Sequence, residues 1–122
     1  MSESVQFINA TPVLASLDIR RSVGFFVSKL GFAEVYAVQG EYGIVSNGSV
    51  GIHFWACSDS SIPKATSCRI EVKAVGQLYQ HCKLLGIVHP NAPLEAKPWG
   101  NNEFAILDPD GNLVTFYESS GV

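Results

Sequence analysis

The sequence predicts an α+β fold built from two copies of one module, each a strand, a helix and three further strands. Three observations carry this reading. Two amphipathic helical stretches end in glycine, at Gly31 and Gly86, about 55 residues apart. Each follows a short β-rich run and precedes further strand-like runs. In each half two of the later runs meet at a tight-turn signal, Asn47-Gly48 in the first and "DPDG" in the second. A chain of 122 residues has the length of one domain and can bury a core.

The first module is expected over about residues 5–57. It opens with "VQFINATPVLAS", mixed and β-branched, read as a strand. "LDIRRSVGFFVSKLGF" then takes helical period, with Ile19, Val23, Phe26, Val27 and Leu30 on one apolar stripe. Ser16 or Asp18 can cap its start, and Gly31 can end it in a left-handed conformation. "FAEVYAV", "YGIVS" and "VGIHFWA" follow as strands. "SDSSIPKAT" supplies a linker at about residues 58–65.

The second module is expected over about residues 66–119. "SCRIEVKA" reads as a strand, and "VGQLYQHCKLLG" places Val75, Leu78, Tyr79, Cys82 and Leu85 on one helical face. A stretch with Pro90, Pro93 and Pro98 leads to "NEFAIL" and "NLVTFYES" around the turn. There Pro109 suits the fixed-φ position and Gly111 the one with positive φ. A module with one helix leaves one sheet face uncovered, so two must combine to enclose anything on that side.

Composition narrows the function classes. With 47% hydrophobic and 16% charged residues and a formal charge of -3, the chain is a globular domain without the basic surface that nucleic acid requires. Mild acidity permits a cationic ligand. No apolar run approaches the ~20 residues of a membrane span. "MSESVQF" lacks the basic and apolar regions of a signal peptide. Three cysteines, Cys57, Cys68 and Cys82, stand at no metal-ligand spacing and read as reduced thiols, so a cytoplasmic location is expected. No Ser/His/Asp or Cys/His arrangement and no glycine-rich phosphate loop stands out, so neither a catalytic constellation nor a cofactor is expected.

Alternation selects the residues for the uncovered face. On "VGIHFWA" it sets Ile52 and Phe54 against His53 and Trp55. On "NLVTFYE" it sets Val114 and Phe116 against Thr115 and Tyr117. The apolar sets belong under the helices, which leaves Trp55, Thr115 and Tyr117 for a cleft or for simple packing. His53 either lines that cleft or is packed and hydrogen-bonded. His81 on the second helix and His89 in the Pro-rich loop read as surface residues. Trp99 lies between Pro98 and Gly100, outside any periodic run, where a loop tryptophan serves a ligand or caps a core edge.

Two stretches, "TPVLASLDIRRSVGFFVSKLGF" and "PWGNNEFAILDPDGNLVTF", closely resemble the bleomycin resistance proteins. These belong to the glyoxalase, bleomycin resistance and extradiol dioxygenase superfamily, also called vicinal oxygen chelate. The resemblance runs from about Ile8 to Glu118; "DPDGN" is common to the superfamily, whereas "PWG" followed by "EFA" is more specific. It implies βαβββ modules whose curved mixed sheets surround a cleft. It also implies a homodimer in which modules pair across chains, and a flat, cationic antibiotic held between aromatic jaws. Trp99 and Tyr42 match the jaws, and Tyr36, His53, Trp55, Glu103, Thr115 and Tyr117 complete the expected ligand-binding set.

Enzymes of the superfamily hold a divalent metal with side chains on the first and last strands of each module. The matching positions here are Thr11, His53, Ser67 and Thr115. Only His53 is a plausible ligand, because neutral hydroxyls bind transition metals poorly. The resemblance to the resistance proteins, with three of four ligand positions lacking a ligand, therefore implies sequestration without catalysis. The alternatives are a binder or metal-independent enzyme with another ligand and, against the ligand positions, a metal-dependent lyase, dioxygenase or thiol transferase. Elemental analysis of purified protein is expected to find no stoichiometric transition metal. Stoichiometric zinc, manganese, iron or nickel that disappears in His53→Ala contradicts this.

Overall fold

The Asp18 carboxylate starts the first helix by accepting the Arg21 backbone N–H at 3.0 Å, and Gly31 ends it at φ 72. Those two signals bound helix α1, Ile19–Leu30, between strand β1, Val13–Ser16, and strands β2, Ala33–Val38, β3, Tyr42–Asn47, and β4, Val50–Ala56. The plan then repeats: β5, Ser67–Glu71; α2, Val75–Leu84; β6, Glu95–Ala96; β7, Asn101–Leu107; β8, Leu113–Ser119. The computed structural model describes residues 4–120. One sheet has the order β1-β4-β3-β2 and the other β5-β8-β7-β6. In each, the first strand lies parallel to the last strand of its own module, and the other pairs are antiparallel.

Each sheet buries the face under its helix. Leu14, Val45, Ile52 and Phe54 meet Ile19, Val23 and Phe26 of α1, while Ile70, Phe104, Ile106, Val114 and Phe116 meet Val75 and Cys82 of α2. Gly43 sets the closeness of the first contact. A Cβ there would lie 2.9 Å from Val23 Cγ2 and 3.1 Å from Ile19 Cγ2, so a side chain would lift α1 from β3.

Several elements differ from expectation. The opening strand is confined to Val13–Ser16; Val5, Phe7 and Ile8 are β-prone yet exposed, and a strand forms only where another strand can pair with it. Val27 is 37% exposed, and Ser22 takes its place on the buried stripe because its hydroxyl bonds to Ser16 Oγ at 2.6 Å. Leu85 lies past the end of α2 and is 38% exposed. The first hairpin turns at Gly48-Ser49, because Asn47 still pairs with Val50 and only Gly48 takes positive φ, 58. The fourth strand of the second sheet shrinks to Glu95–Ala96 in the Pro-rich stretch, where missing N–H donors limit pairing. Helix α2 starts at Ala74, φ 59, without a cap of its own; Glu118 of β8 accepts the Val75 N–H at 3.0 Å instead.

The turn after β7 supplies the polar contacts that join the two modules beside their shared apolar core. Asp110, whose side chain is fully buried, pairs with Arg21 and accepts the Leu17 N–H at 2.9 Å. Asn112 donates to Ala15 O at 2.9 Å and to Asp108 Oδ2 at 2.8 Å, and accepts from the Thr66 hydroxyl. Burial raises the pKa of Asp108, against the hydrogen bonds that Asn112 and Asp110 donate to it. Asn112→Ala should therefore destabilise the fold by about 3 kcal/mol, since net bonds of about 1 kcal/mol each are lost and buried partners are stranded. That corresponds to a Tm about 10 °C lower. A melting curve that matches the parent protein would show that this turn does not hold the modules together.

Candidate functional site

Strand register decides which candidates share a surface. In the first sheet Tyr42 pairs with Trp55, Ile44 with His53, and Tyr36 with Ile44, so Tyr36, Tyr42, His53 and Trp55 all stand on the face away from α1. Tyr42 Oη lies 2.9 Å from His53 Nδ1, and their rings meet edge to face with centroids 5.5 Å apart. His53 is thus hydrogen-bonded and also lines a groove, which joins the two roles that its sequence position left open. Trp55 is 39% exposed and Tyr36 45%.

The second sheet builds a charged counterpart. Glu103 pairs with Tyr117, and Thr115 lies between Ala105 and Arg69, so these residues share the face away from α2. Glu103 is only 3% exposed, yet both its oxygens are satisfied. Arg69 donates to it in a fork, Nη1 to Oε1 at 3.0 Å and Nη2 to Oε2 at 2.7 Å. Trp99 Nε1 donates to Oε2 at 2.7 Å and Asn101 Nδ2 at 3.2 Å. The guanidinium beside it, then the Trp99 and Asn101 donors, hold the Glu103 carboxyl down at about 2, against the cost of burial. It is an anion across ordinary pH, and the stability this contributes is lost only as pH falls toward that value.

Arg69 also lies over the Tyr117 ring, 4.6 Å from its centroid. Trp99 sits outermost. Its loop turns at Gly100, φ 93, with the Gly100 N–H on Lys97 O at 3.0 Å, and 62% of the residue stays exposed. Lys97 Nζ stands 6.0 Å from the indole.

The candidates therefore form two groups, one per sheet. Among the described residues no hydrogen bond or ring contact joins Tyr42 to Trp99 within the chain. The groups approach each other at a groove of about 450 Å³ lined by Thr11, Gly51, His53, Arg69 and Glu71. A smaller hollow of about 130 Å³ lies beside Glu103 and Thr115, walled by Pro93, Lys97 and Leu113.

Arg69 was not legible as a site residue, although a signal existed. It is a charge inside a strand, on the face opposite Ile70, where alternation points it away from the core. Asn101 gave no such signal.

A superfamily metal does not fit these residues. Thr11 and His53 share the groove, but His53 Nδ1 is engaged by Tyr42. Thr115 has a guanidinium at its paired position, which repels a cation, and Ser67 pairs with Leu113 two residues away. Among the described residues no three His, Cys, Asp or Glu side chains come together as a metal site. His81 is exposed with Nε2 2.7 Å from Lys29 O, and His89 is half-buried beside β7, its backbone N–H on Ala105 O at 2.8 Å and its Nδ1 accepting from the Asn91 N–H at 3.0 Å.

Residues 10–116 match the glyoxalase/bleomycin resistance protein/dioxygenase superfamily. A bleomycin resistance protein of Geobacillus stearothermophilus is 38% identical over 128 aligned positions, covering 91% of this chain and 96% of its own. The bleomycin-binding protein of bleomycin-producing Streptomyces verticillus, solved with copper(II)-bleomycin, superposes with a TM-score of 0.83 at 28% identity, covering 98% of this chain and all of its own. A lactoylglutathione lyase of Agrobacterium tumefaciens shares the fold at 18% identity, with a TM-score of 0.75 and 93% and 95% coverage. The open aromatic sheet faces and these likenesses lead to one conclusion: the chain belongs to the glyoxalase/bleomycin resistance protein/dioxygenase superfamily.

Proposed function

We propose that this protein sequesters a bleomycin-class antibiotic, flat and cationic, without transforming it. The observation that carries the reading is the pair of open sheet faces bearing exposed aromatic rings, in a chain 38% identical to a bleomycin resistance protein. A ring system slides between such faces and is held by stacking, each aromatic contact contributing about 0.5–1.5 kcal/mol beyond its buried area. Protection follows from mass action, because ligand held in the cleft is withdrawn from its target.

The site is completed in a homodimer. The face carrying Tyr36, Tyr42, His53 and Trp55 in one chain lies across from the face carrying Trp99, Thr115 and Tyr117 of its partner. Two exposures support this. The aromatic faces are uncovered in one chain, and the segment before β1 displays Val5, Phe7 and Ile8 at 84%, 98% and 81% exposure, which a second chain can bury. The donor set disfavours a metal-dependent lyase or dioxygenase, and the three free thiols accord with a reducing cytoplasm.

The test is a titration of purified protein with metal-free and copper-loaded bleomycin, followed by recovery of the ligand. Binding should raise the Tm, since the ligand stabilises only the folded state, and the antibiotic should return chemically intact. Trp99→Ala should weaken binding about tenfold or more, roughly 1.4 kcal/mol, and barely shift the Tm of the free protein. No Tm shift with saturating bleomycin, or a modified product, contradicts the reading.

A further inference from the structure

Trp99 raises a mechanical question. Its residue is 62% exposed, on a loop between a proline and a glycine, with little packing to fix the plane of its ring. A ring free to turn loses that freedom when it stacks on a ligand, and binding is weakened accordingly. The directional hold on it is the 2.7 Å bond from its Nε1–H to Glu103 Oε2. That bond is available only because Glu103 is itself immobile: it sits on β7, its side chain is 4% exposed, and the Arg69 fork meets both oxygens. Arg69 is in turn seated on Tyr117.

We propose that Glu103 is a positioning residue that presets the Trp99 indole for stacking, and that its charge is spent on Arg69 and not on the ligand. The inference rests on the reading of Trp99 as a ligand contact. It assigns one chain of contacts, Tyr117 to Arg69 to Glu103 to Trp99, that runs from the sheet floor to the rim. A cationic ligand therefore finds a neutral ion pair at this wall of the cleft. Carboxylate removal here loosens the ring instead of removing a salt bridge to the ligand.

The fluorescence arm uses a Trp55→Phe background, in which Trp99 is the sole tryptophan, and the affinity arm uses protein that keeps Trp55. Fluorescence anisotropy and acrylamide quenching of the ligand-free protein report how firmly the indole is held. Calorimetric titration with metal-free bleomycin reports affinity, and thermal unfolding confirms that folded proteins are compared. In Glu103→Ala the indole should be quenched more readily, its anisotropy should fall, and affinity should drop about fivefold, the equivalent of about 1 kcal/mol. In Glu103→Gln the one amide oxygen can still accept the indole N–H, but its NH2 faces the guanidinium and the fork is lost, so indole order and affinity should recover in part, to values between the parent and Glu103→Ala. Unchanged indole signals in Glu103→Ala overturn the proposal. So does a Glu103→Gln protein that behaves like Glu103→Ala, or a loosened indole with unaltered affinity. Should the parent protein not bind bleomycin, the functional reading falls, and the indole measurements by themselves uphold or overturn the hold of Glu103 on Trp99.

Discussion

Everything in this molecule that bears on a ligand depends on where two small sheets are held relative to each other; a buried five-residue turn fixes that together with the apolar core the two modules share. Asp108, Asp110 and Asn112 are all buried, and they spend their polar atoms on the start of α1, on β1 and on the linker before β5. Buried polar groups with complete partners tolerate few alternative arrangements, because each displaced bond strands a desolvated atom. Among the described residues no buried side-chain nitrogen or oxygen lacks a partner. The turn thus exchanges hydration for orientation. With it in place the two helices cover one face of each sheet; the first sheet's other face displays its rings, and the second's is partly roofed by the Trp99 loop and the stretch at Pro93.

Those faces are chemically unlike. The first presents aromatic rings and the Tyr42–His53 pair; the second presents a spent ion pair that braces an exposed indole. Among the described residues neither face gathers three metal-ligating side chains. A metal enzyme of this fold needs anionic or imidazole donors converging on one point, whereas here a guanidinium stands beside Thr115 and hydroxyls occupy other ligand positions. Exposed rings on rigid strands suit a different task, which is to offer area to a flat molecule while losing little freedom on binding.

The modular plan was legible because it is written in local signals: helical period, alternation, Gly31 at the helix end, and the turn chemistry of "DPDG" with Gly111 at φ 99. Alternation alone placed Trp55, Thr115 and Tyr117 on the right side of their strands. What escaped was set by partners distant in sequence. Ser22 is buried in place of Val27 because Asp110, 88 residues away, accepts from its hydroxyl. The segment before β1 has strand composition but meets no strand to pair with. Glu103 read as a ligand-binding residue, and no periodicity could reveal Arg69, 34 residues earlier, closing both its oxygens.

We propose that a complete cleft takes its first wall from one chain and its second from another, and mixed dimers reveal whether it does. Tyr42→Ala and Trp99→Ala proteins would each be purified, mixed under conditions that allow subunits to exchange, and titrated with metal-free bleomycin. In a mixed dimer one cleft carries both lesions and the other carries neither. With walls from two chains, mixing should restore parent-like affinity in a fraction of sites that neither variant has alone. If both walls came from the same chain, every cleft would retain one lesion, and mixing would restore nothing.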